Sequence, residues 1–159
     1  MSQAKIIRVA GPLVVASGCL GAKMYDMVKI GQLGLIGEII ELREDQAFIQ
    51  VYEDTTGIGP EEPVRLTGKP LSVELGPGLI SSIYDGIQRP LDVIRSQEGN
   101  YVTRGIELPA LNREKKWDFV PLRKKGEAVA AGDILGEVEE TPLVHHKIMV
   151  PEDVAGRIK

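Results

Sequence analysis

Glycine and proline cut the first 75 residues into pieces too short for anything but strands. Lys5-Ile-Ile-Arg-Val-Ala10 stops at Gly11-Pro12, Leu13-Val-Val-Ala16 at Ser17-Gly18, and Met24 to Ile30 at Gly31. Leu35 to Arg43 and Gln46 to Tyr52 follow, parted by a turn at Glu44-Asp45. Pro63 to Thr67 and Leu71 to Leu75 complete the set. The 18 glycines and 10 prolines among 159 residues lie well above the usual share of ~12%. With no repeat or low-complexity tract, that excess predicts many short strands instead of long helices. Ala47, Ile49 and Val51 alternate with Phe48, Gln50 and Tyr52, the period of a pleated sheet. In the preceding strand Ile36, Ile40 and Leu42 share a face with Glu38, an imperfect alternation. About six closely spaced strands with glycines at the bends favour a small closed or nearly closed barrel, which hides sheet edges.

Beyond residue 75 the pattern changes. Gly76-Pro77-Gly78 reads as a hinge, and Leu79, Ile80, Ser82, Ile83 and Ile87 form a short helical stripe limited by Gly86 and Pro90. Asp92 to Asn100 is polar, and Tyr101 to Leu108 reads as another strand. Pro109 and Asn112-Arg-Glu-Lys-Lys116 mark a second boundary. From Trp117 onward, strand-like pieces at Trp117–Leu122, Ile134–Val138, Val144–Val150 and Val154–Ile158 surround a glycine-punctuated stretch. The chain stops at Gly156-Arg-Ile-Lys159 as if in mid-strand, which agrees with a fragment.

Composition excludes several classes of function. A net charge of −4 argues against a general nucleic-acid binder. The single cysteine, Cys19, excludes an internal disulfide and any multi-cysteine zinc site. No apolar run has the roughly 18 residues a spanning helix needs, and Met1-Ser-Gln-Ala-Lys5 leads directly into a strand without a signal peptide. The expected location is cytoplasmic and reducing, without insertion in a membrane.

None of the familiar chemical motifs is complete. The one Gly-Lys pair, Gly68-Lys69, is followed by Pro70 and preceded five residues earlier by Pro63, so it cannot be a phosphate-binding loop, which requires G-x-x-x-x-G-K-[ST]. Gly57-Ile-Gly59-Pro60 and Gly76-Pro-Gly78 lack the third glycine and the following long helix of a dinucleotide fingerprint. His145 and His146 are adjacent in a strand and point to opposite faces, so they do not share a metal. Cys19 has no nearby base and reads as a passive thiol. Val129 to Lys159 has a faint likeness to biotinyl/lipoyl carrier domains, with Lys147 as the tempting carrier lysine. The expected turn, however, is at Thr141-Pro142, which leaves Lys147 inside a strand. No serine sits in a G-x-S-x-G elbow, and no carboxylate spacing singles out an acid/base pair. The residues call for no catalytic, cofactor-binding or metal site.

Three stretches together resemble the N-terminal part of the catalytic A subunit of V-type and archaeal A-type rotary ATPases. They are Ile6-Ile-Arg-Val-Ala-Gly-Pro-Leu-Val-Val15; Leu33 to Ile40 continuing to Gln50-Val-Tyr-Glu-Asp-Thr-Thr-Gly-Ile-Gly-Pro60; and Glu62 to Gly68 through Leu75-Gly-Pro-Gly-Leu-Ile-Ser-Ser-Ile-Tyr-Asp-Gly-Ile-Gln-Arg-Pro-Leu91. The run from Leu75 to Leu91 is the most specific, and His146-Lys-Ile-Met-Val-Pro151 also fits. The resemblance implies a mainly β chain. A six-stranded β-barrel in the crown of the ring would occupy residues 1–75. A hinge and short helical or linker segment leading toward the nucleotide-binding domain would occupy 76–111. A partial, barrel-sandwich-like bulge domain, cut short at its end, would occupy 112–159. It implies B subunits as partners in an alternating A3B3 ring, peripheral-stalk subunits near the crown, and a place in the soluble sector on the cytoplasmic face of a membrane. It also implies Mg-ATP and coupling to H⁺ or Na⁺ for a full-length parent, whose nucleotide motifs lie downstream, so no catalytic residue carries over. The B subunit shares the barrel, but the insertion-like segment after Asn112 favours A. The competing readings are a stand-alone, non-catalytic adaptor barrel and, behind it, a carrier domain modified at Lys147.

Overall fold

The computed structural model describes residues 4–159, so Met1 to Gln3 of the segment read as leading into the first strand lie outside the described residues. The chain forms two compact units. One comprises residues up to Val73 together with Ile94–Glu107; the other comprises Glu74–Val93 and Leu108–Lys159.

The first unit is an antiparallel sheet of β1 (Lys5–Ala10), β2 (Leu13–Ser17), β3 (Asp26–Ile30), β4 (Leu35–Arg43), β5 (Gln46–Val51) and β6 (Val64–Pro70). Their order is β1-β2-β5-β4-β3-β6. Its inward faces carry aliphatic side chains with no solvent exposure, among them Ile6, Val14, Val28, Ile30, Ile39 and Ile49. Burying one such side chain stabilises by roughly 1.5–3 kcal/mol, so this stripe supplies the main driving force for the unit.

The ladder does not run continuously around the sheet, although the two end strands approach each other. Lys5 bridges to Pro63, and three backbone bonds reinforce the approach: Ile6 N to Glu62 O at 2.9 Å, Glu61 N to Ile6 O at 2.8 Å and Val64 N to Ala4 O at 2.8 Å. Glu61, Glu62 and Pro63 all precede β6, and Pro63 has no N–H to give. The sheet is therefore not closed into the expected barrel by strand pairing: its two end strands meet only through the turn before β6 and the bond from Val64 to Ala4.

β4 explains its own irregular pattern. Leu35, Gly37 and Ile39 face inward, not the set with Ile36 and Ile40 that the sequence suggested. The register of β4 with β5 shifts between Ile39 and Glu41, and this bulge returns Leu42 to the core side. β6 differs too: it does not stop at Thr67 but runs through Gly68 to Pro70. Its register shifts opposite Asp26–Val28, and the Thr67 hydroxyl donates to the Met27 carbonyl at 2.6 Å. Leu71–Leu75 forms no strand, because Pro70 ends the ladder.

Residues 79–87 do not form the expected helix but a series of turns, since the Asp85 side chain takes backbone groups that a helix would use. The single α-helix of the described residues, α1 (Leu91–Glu98), starts directly after Pro90, with Asp92 in its first turn and Arg95 in its last. That arrangement matches the helix dipole. Tyr101–Leu108 is irregular instead of extended, because Arg104 and Gly105 bond to carbonyls and a carboxylate of the loop after β5. In the second unit, β9 (Ile134–Thr141) pairs on one side with β10 (Val144–Met149) and on the other with β7 (Phe119–Pro121). β8 (Ala128–Val129) pairs with β11 (Gly156–Arg157). Its buried aliphatic side chains are Val138 and Val150.

Gly37 is the tightest point of the first unit's core. A Cβ there would stand 2.8 Å from Ile30 Cδ1 and from Ile49 Cγ2, and 2.9 Å from the Gln50 carbonyl. Gly37→Ala is expected to destabilise the unit by about 1–3 kcal/mol through overpacking. Urea denaturation followed by far-UV circular dichroism measures this; an unchanged midpoint would show that the strands yield without cost.

Candidate functional site

The run from Leu75 to Leu91 folds as a loop whose own polar side chains replace secondary structure. Gln88, at φ 61°, accepts from Glu74 N at 2.5 Å through Oε1 and donates to Glu74 O at 2.7 Å through Nε2. The amide thus behaves like one rung of a strand. Asp85 accepts from the amides of Ile87 and Arg89 at 3.1 and 2.8 Å, and from Arg89 Nε at 2.7 Å. Burial alone raises the Asp85 pKa; the amide and guanidinium of Arg89 and the Ile87 amide together outweigh it and hold the carboxyl below its ordinary value. Tyr84 donates to the Ala110 carbonyl at 3.0 Å, and Arg113 pairs with Glu74. At the front of the loop, Gly78 N and Ile80 N both donate to Glu140 Oε1, at 2.7 and 3.0 Å.

The other residues singled out by sequence are dispersed. Within Gly57–Pro60 the Gly59 amide is already taken by a carboxylate of this chain, which it shares with the Gln32 amide: both donate to Glu62, at 2.8 and 3.0 Å. Those two amides are not open to a phosphate. Gly68-Lys69 lies within β6. Cys19 is buried; burial raises its thiol pKa, an Ala47 backbone bond lowers it and Asp45 raises it again, with a net rise. Such a thiol is a poor nucleophile at neutral pH. His145 and His146 alternate outward and inward along β10, and Lys147 stands opposite Glu137 in mid-strand. The hairpin turn is at Pro142-Leu143, one residue past the expected place, and Leu143 at its tip is 93% exposed. No group of three or more metal-ligating side chains occurs among the described residues, and none of their helices is long and apolar enough to cross a membrane.

Sequence reasoning missed two arrangements. One is the Glu140 carboxylate beneath Gly78. The other is a strap formed by residues 103–107 on the first unit. Arg104 Nη1 donates to the carbonyls of Asp54 and Thr56 at 3.1 and 2.7 Å, Gly105 N to Glu53 at 3.3 Å, and Lys29 pairs with Glu107 at 2.5 Å. Gly105, at φ 71°, lies so close to the Leu33 carbonyl that any side chain would collide with it. A lone Arg-Gly in a polar stretch gave no signal of this in sequence.

Two stretches of the chain match known domain families. Residues 6–68 match the beta-barrel domain of the ATP synthase alpha/beta family, and residues 108–159 match the barrel-sandwich domain of the ATP synthase alpha/beta subunit. By these two domains the chain belongs to the ATP synthase alpha/beta family. More particularly, it is similar over its whole length to the N-terminal region of V-type and A-type subunits. It is 58% identical over 159 residues to the V-type ATP synthase alpha chain of Thermoanaerobacter sp. (strain X514), covering 27% of that protein. It is 62% identical over 159 residues to the V-type ATP synthase alpha chain of Streptococcus gordonii, again covering 27%. To the A-type ATP synthase A subunit of Pyrococcus horikoshii it is 60% identical over 158 residues, covering 16%. The chain thus spans about a quarter or less of the length of these curated relatives.

The lowered Asp85 pKa has a definite sign. Its contribution to stability is complete above the ordinary carboxylate value of ~3.9 and is lost as pH falls through the lower, folded value. Asp85→Asn keeps an acceptor for the amides but loses the charge, costing roughly 1–2 kcal/mol at neutral pH. Thermal unfolding of both proteins should show this gap at pH 7 and its closure near pH 2. A gap that persists undiminished in acid would refute the ionic role of Asp85.

Proposed function

We propose that this chain is the N-terminal portion of the catalytic A subunit of a V/A-type rotary ATPase, serving ring assembly and containing none of the nucleotide chemistry. The observation that carries this reading is the identity of 58–62% to the N-terminal regions of V-type and A-type relatives, uninterrupted from the barrel to the barrel-sandwich domain. In this reading residues 1–75 are the crown barrel, 76–111 the hinge and connecting segment, and 112–159 part of the bulge domain. The barrel packs against B subunits in an alternating A3B3 ring, with peripheral-stalk subunits nearby, in the soluble sector held at the cytoplasmic face of a membrane. The full-length protein hydrolyses or synthesises ATP as its magnesium complex, coupled to H⁺ or Na⁺ transport.

The surface of the first unit supports an assembly role. Leu20, Met24 and Tyr25 between β2 and β3, with Ile7, Ile40 and Tyr52 on the strands and their ends, are exposed large apolar side chains. Such groups on otherwise polar surfaces are suited to pairing with neighbouring subunits. The Gly59 amide donates to Glu62 and Gly68-Lys69 lies within β6, which supports a reading without nucleotide contacts.

Two experiments test the reading. Calorimetric titration of the 159-residue chain with Mg-ATP is expected to give no binding isotherm, and saturable stoichiometric binding would overturn the absence of nucleotide contacts. Substituting this chain for the corresponding N-terminal region of the Streptococcus gordonii alpha chain should yield a chimera that still assembles with its B partner in native mass spectrometry. Failure of that chimera to enter a ring would remove the assembly role.

A further inference from the structure

Glu140 is an unusual residue to find buried at the end of a short hairpin. Its side chain is 1% exposed, and a carboxylate so placed is costly unless its oxygens are satisfied. Oε1 accepts from the amides of Gly78 and Ile80, whereas Oε2 is buried without a hydrogen bond. The Nδ1 of His146 faces that second oxygen at 3.4 Å, close enough to attract it and able to donate when it carries the ring proton.

The strand geometry explains how Glu140 comes to point there. In the β9–β10 ladder, Thr141 is opposite Val144 and Glu139 is opposite His145, so Glu140 has no counterpart. It is the extra residue of a β-bulge, a device that turns a side chain out of its normal alternation. His146, opposite Val138, faces inward, while His145 and Lys147 lie on the exposed side opposite Glu139 and Glu137. The loop it holds is closely packed on its other side: a Cβ at position 76 would lie 2.7 Å from Leu111 Cδ1, and one at position 78 would lie 3.6 Å from the Trp117 ring. Ser82 closes the same turn by donating to the Gly78 carbonyl at 2.9 Å.

We infer that Glu140 and His146 form a latch, in which the bulged carboxylate holds the Gly76–Ile80 hinge onto the β9–β10 hairpin and His146 secures the carboxylate. The latched loop is bound through two amides on one oxygen, so removal of that oxygen loses both bonds together. The second unit buries few aliphatic side chains, so these carboxylate bonds place the hinge together with its packing against Leu111 and Trp117. Glu140 and His146 are therefore positioning residues for the hinge, and the latch makes its mobility adjustable by a change at a single side chain.

Amide hydrogen exchange on the 159-residue chain, read by NMR, tests the latch. In Glu140→Ala the Gly78 and Ile80 amides should exchange at least tenfold faster than in the unaltered chain. In Glu140→Gln and His146→Gln they should exchange severalfold faster. The Val138 and His146 amides, which face each other across the ladder, should be unchanged, which reports an intact hairpin. Emission of Trp117, the chain's one tryptophan, should shift to the red as the loop leaves it. If Glu140→Ala also loses protection at Val138 and His146, the milder Glu140→Gln decides. Exchange of Gly78 and Ile80 within twofold of the unaltered chain in Glu140→Gln overturns the latch, and the same result in His146→Gln overturns the part assigned to His146.

Discussion

The inward-facing aliphatic stripe of the first unit is the constraint on which the rest depends. Ile6, Val14, Val28, Ile30, Ile39 and Ile49 come from five different strands, so none is buried until several long-range pairings exist together. The side chains are β-branched, stiff and well suited to a pleated surface. With no large aromatic ring in this cluster, the sheet must curl tightly to bring its faces into contact. Gly37 shows how far this goes, because even a methyl group there would strike Ile30 and Ile49. Tight curling also requires strands to be re-aimed along their length, and β1, β3 with β6, and β4 with β5 each contain a register shift.

The second unit is organised by a different principle. Apart from Val138 and Val150 it has little buried aliphatic surface, and polar side chains bonded to backbone groups give it shape. Asp85, Gln88 and Glu140 each accept or exchange main-chain bonds within the segment Glu74–Leu91. Asp133 does the same at the Gly132 turn, accepting from Ala130 N at 2.9 Å. These bonds are individually worth about 0.5–1.5 kcal/mol, somewhat more when charged, and they specify conformation more than they add stability.

Much of this was legible in the sequence where local signals and tertiary packing agree. β1, β4 and β5 lie where glycine, proline and the Glu44-Asp45 turn place them, and Ala47, Ile49 and Val51 are the buried face of β5. The sequence misled where a bulge shifts the alternation, as in β4. It also misled where a side chain competes with the backbone for hydrogen bonds. The apolar spacing of Leu79, Ile80, Ile83 and Ile87 is helical, yet Asp85 claims the Ile87 and Arg89 amides, and Ile80 and Ile83 are left exposed. The helix formed instead in the polar stretch after Pro90, where end effects outweighed the lack of a broad apolar face. Glu140 was invisible as a site because its partners are two main-chain amides some 60 residues distant in sequence, and amides leave no trace in residue identity.

The strap of residues 103–107 has a consequence for how the molecule is made. The first unit is discontinuous: the chain leaves it after Val73 and returns at Ile94, so its last contacts join segments synthesised well apart. On a ribosome the six strands emerge first, and their loops at Leu33 and at Glu53–Thr56 remain uncovered until Arg104, Gly105 and Glu107 have been translated. Closing an intervening segment of this length costs little more than closing a short one, because loop entropy grows only logarithmically. The delay is therefore one of time and not of free energy. During it, the nascent sheet presents to chaperones and neighbouring chains a surface that the finished unit covers with its own polypeptide.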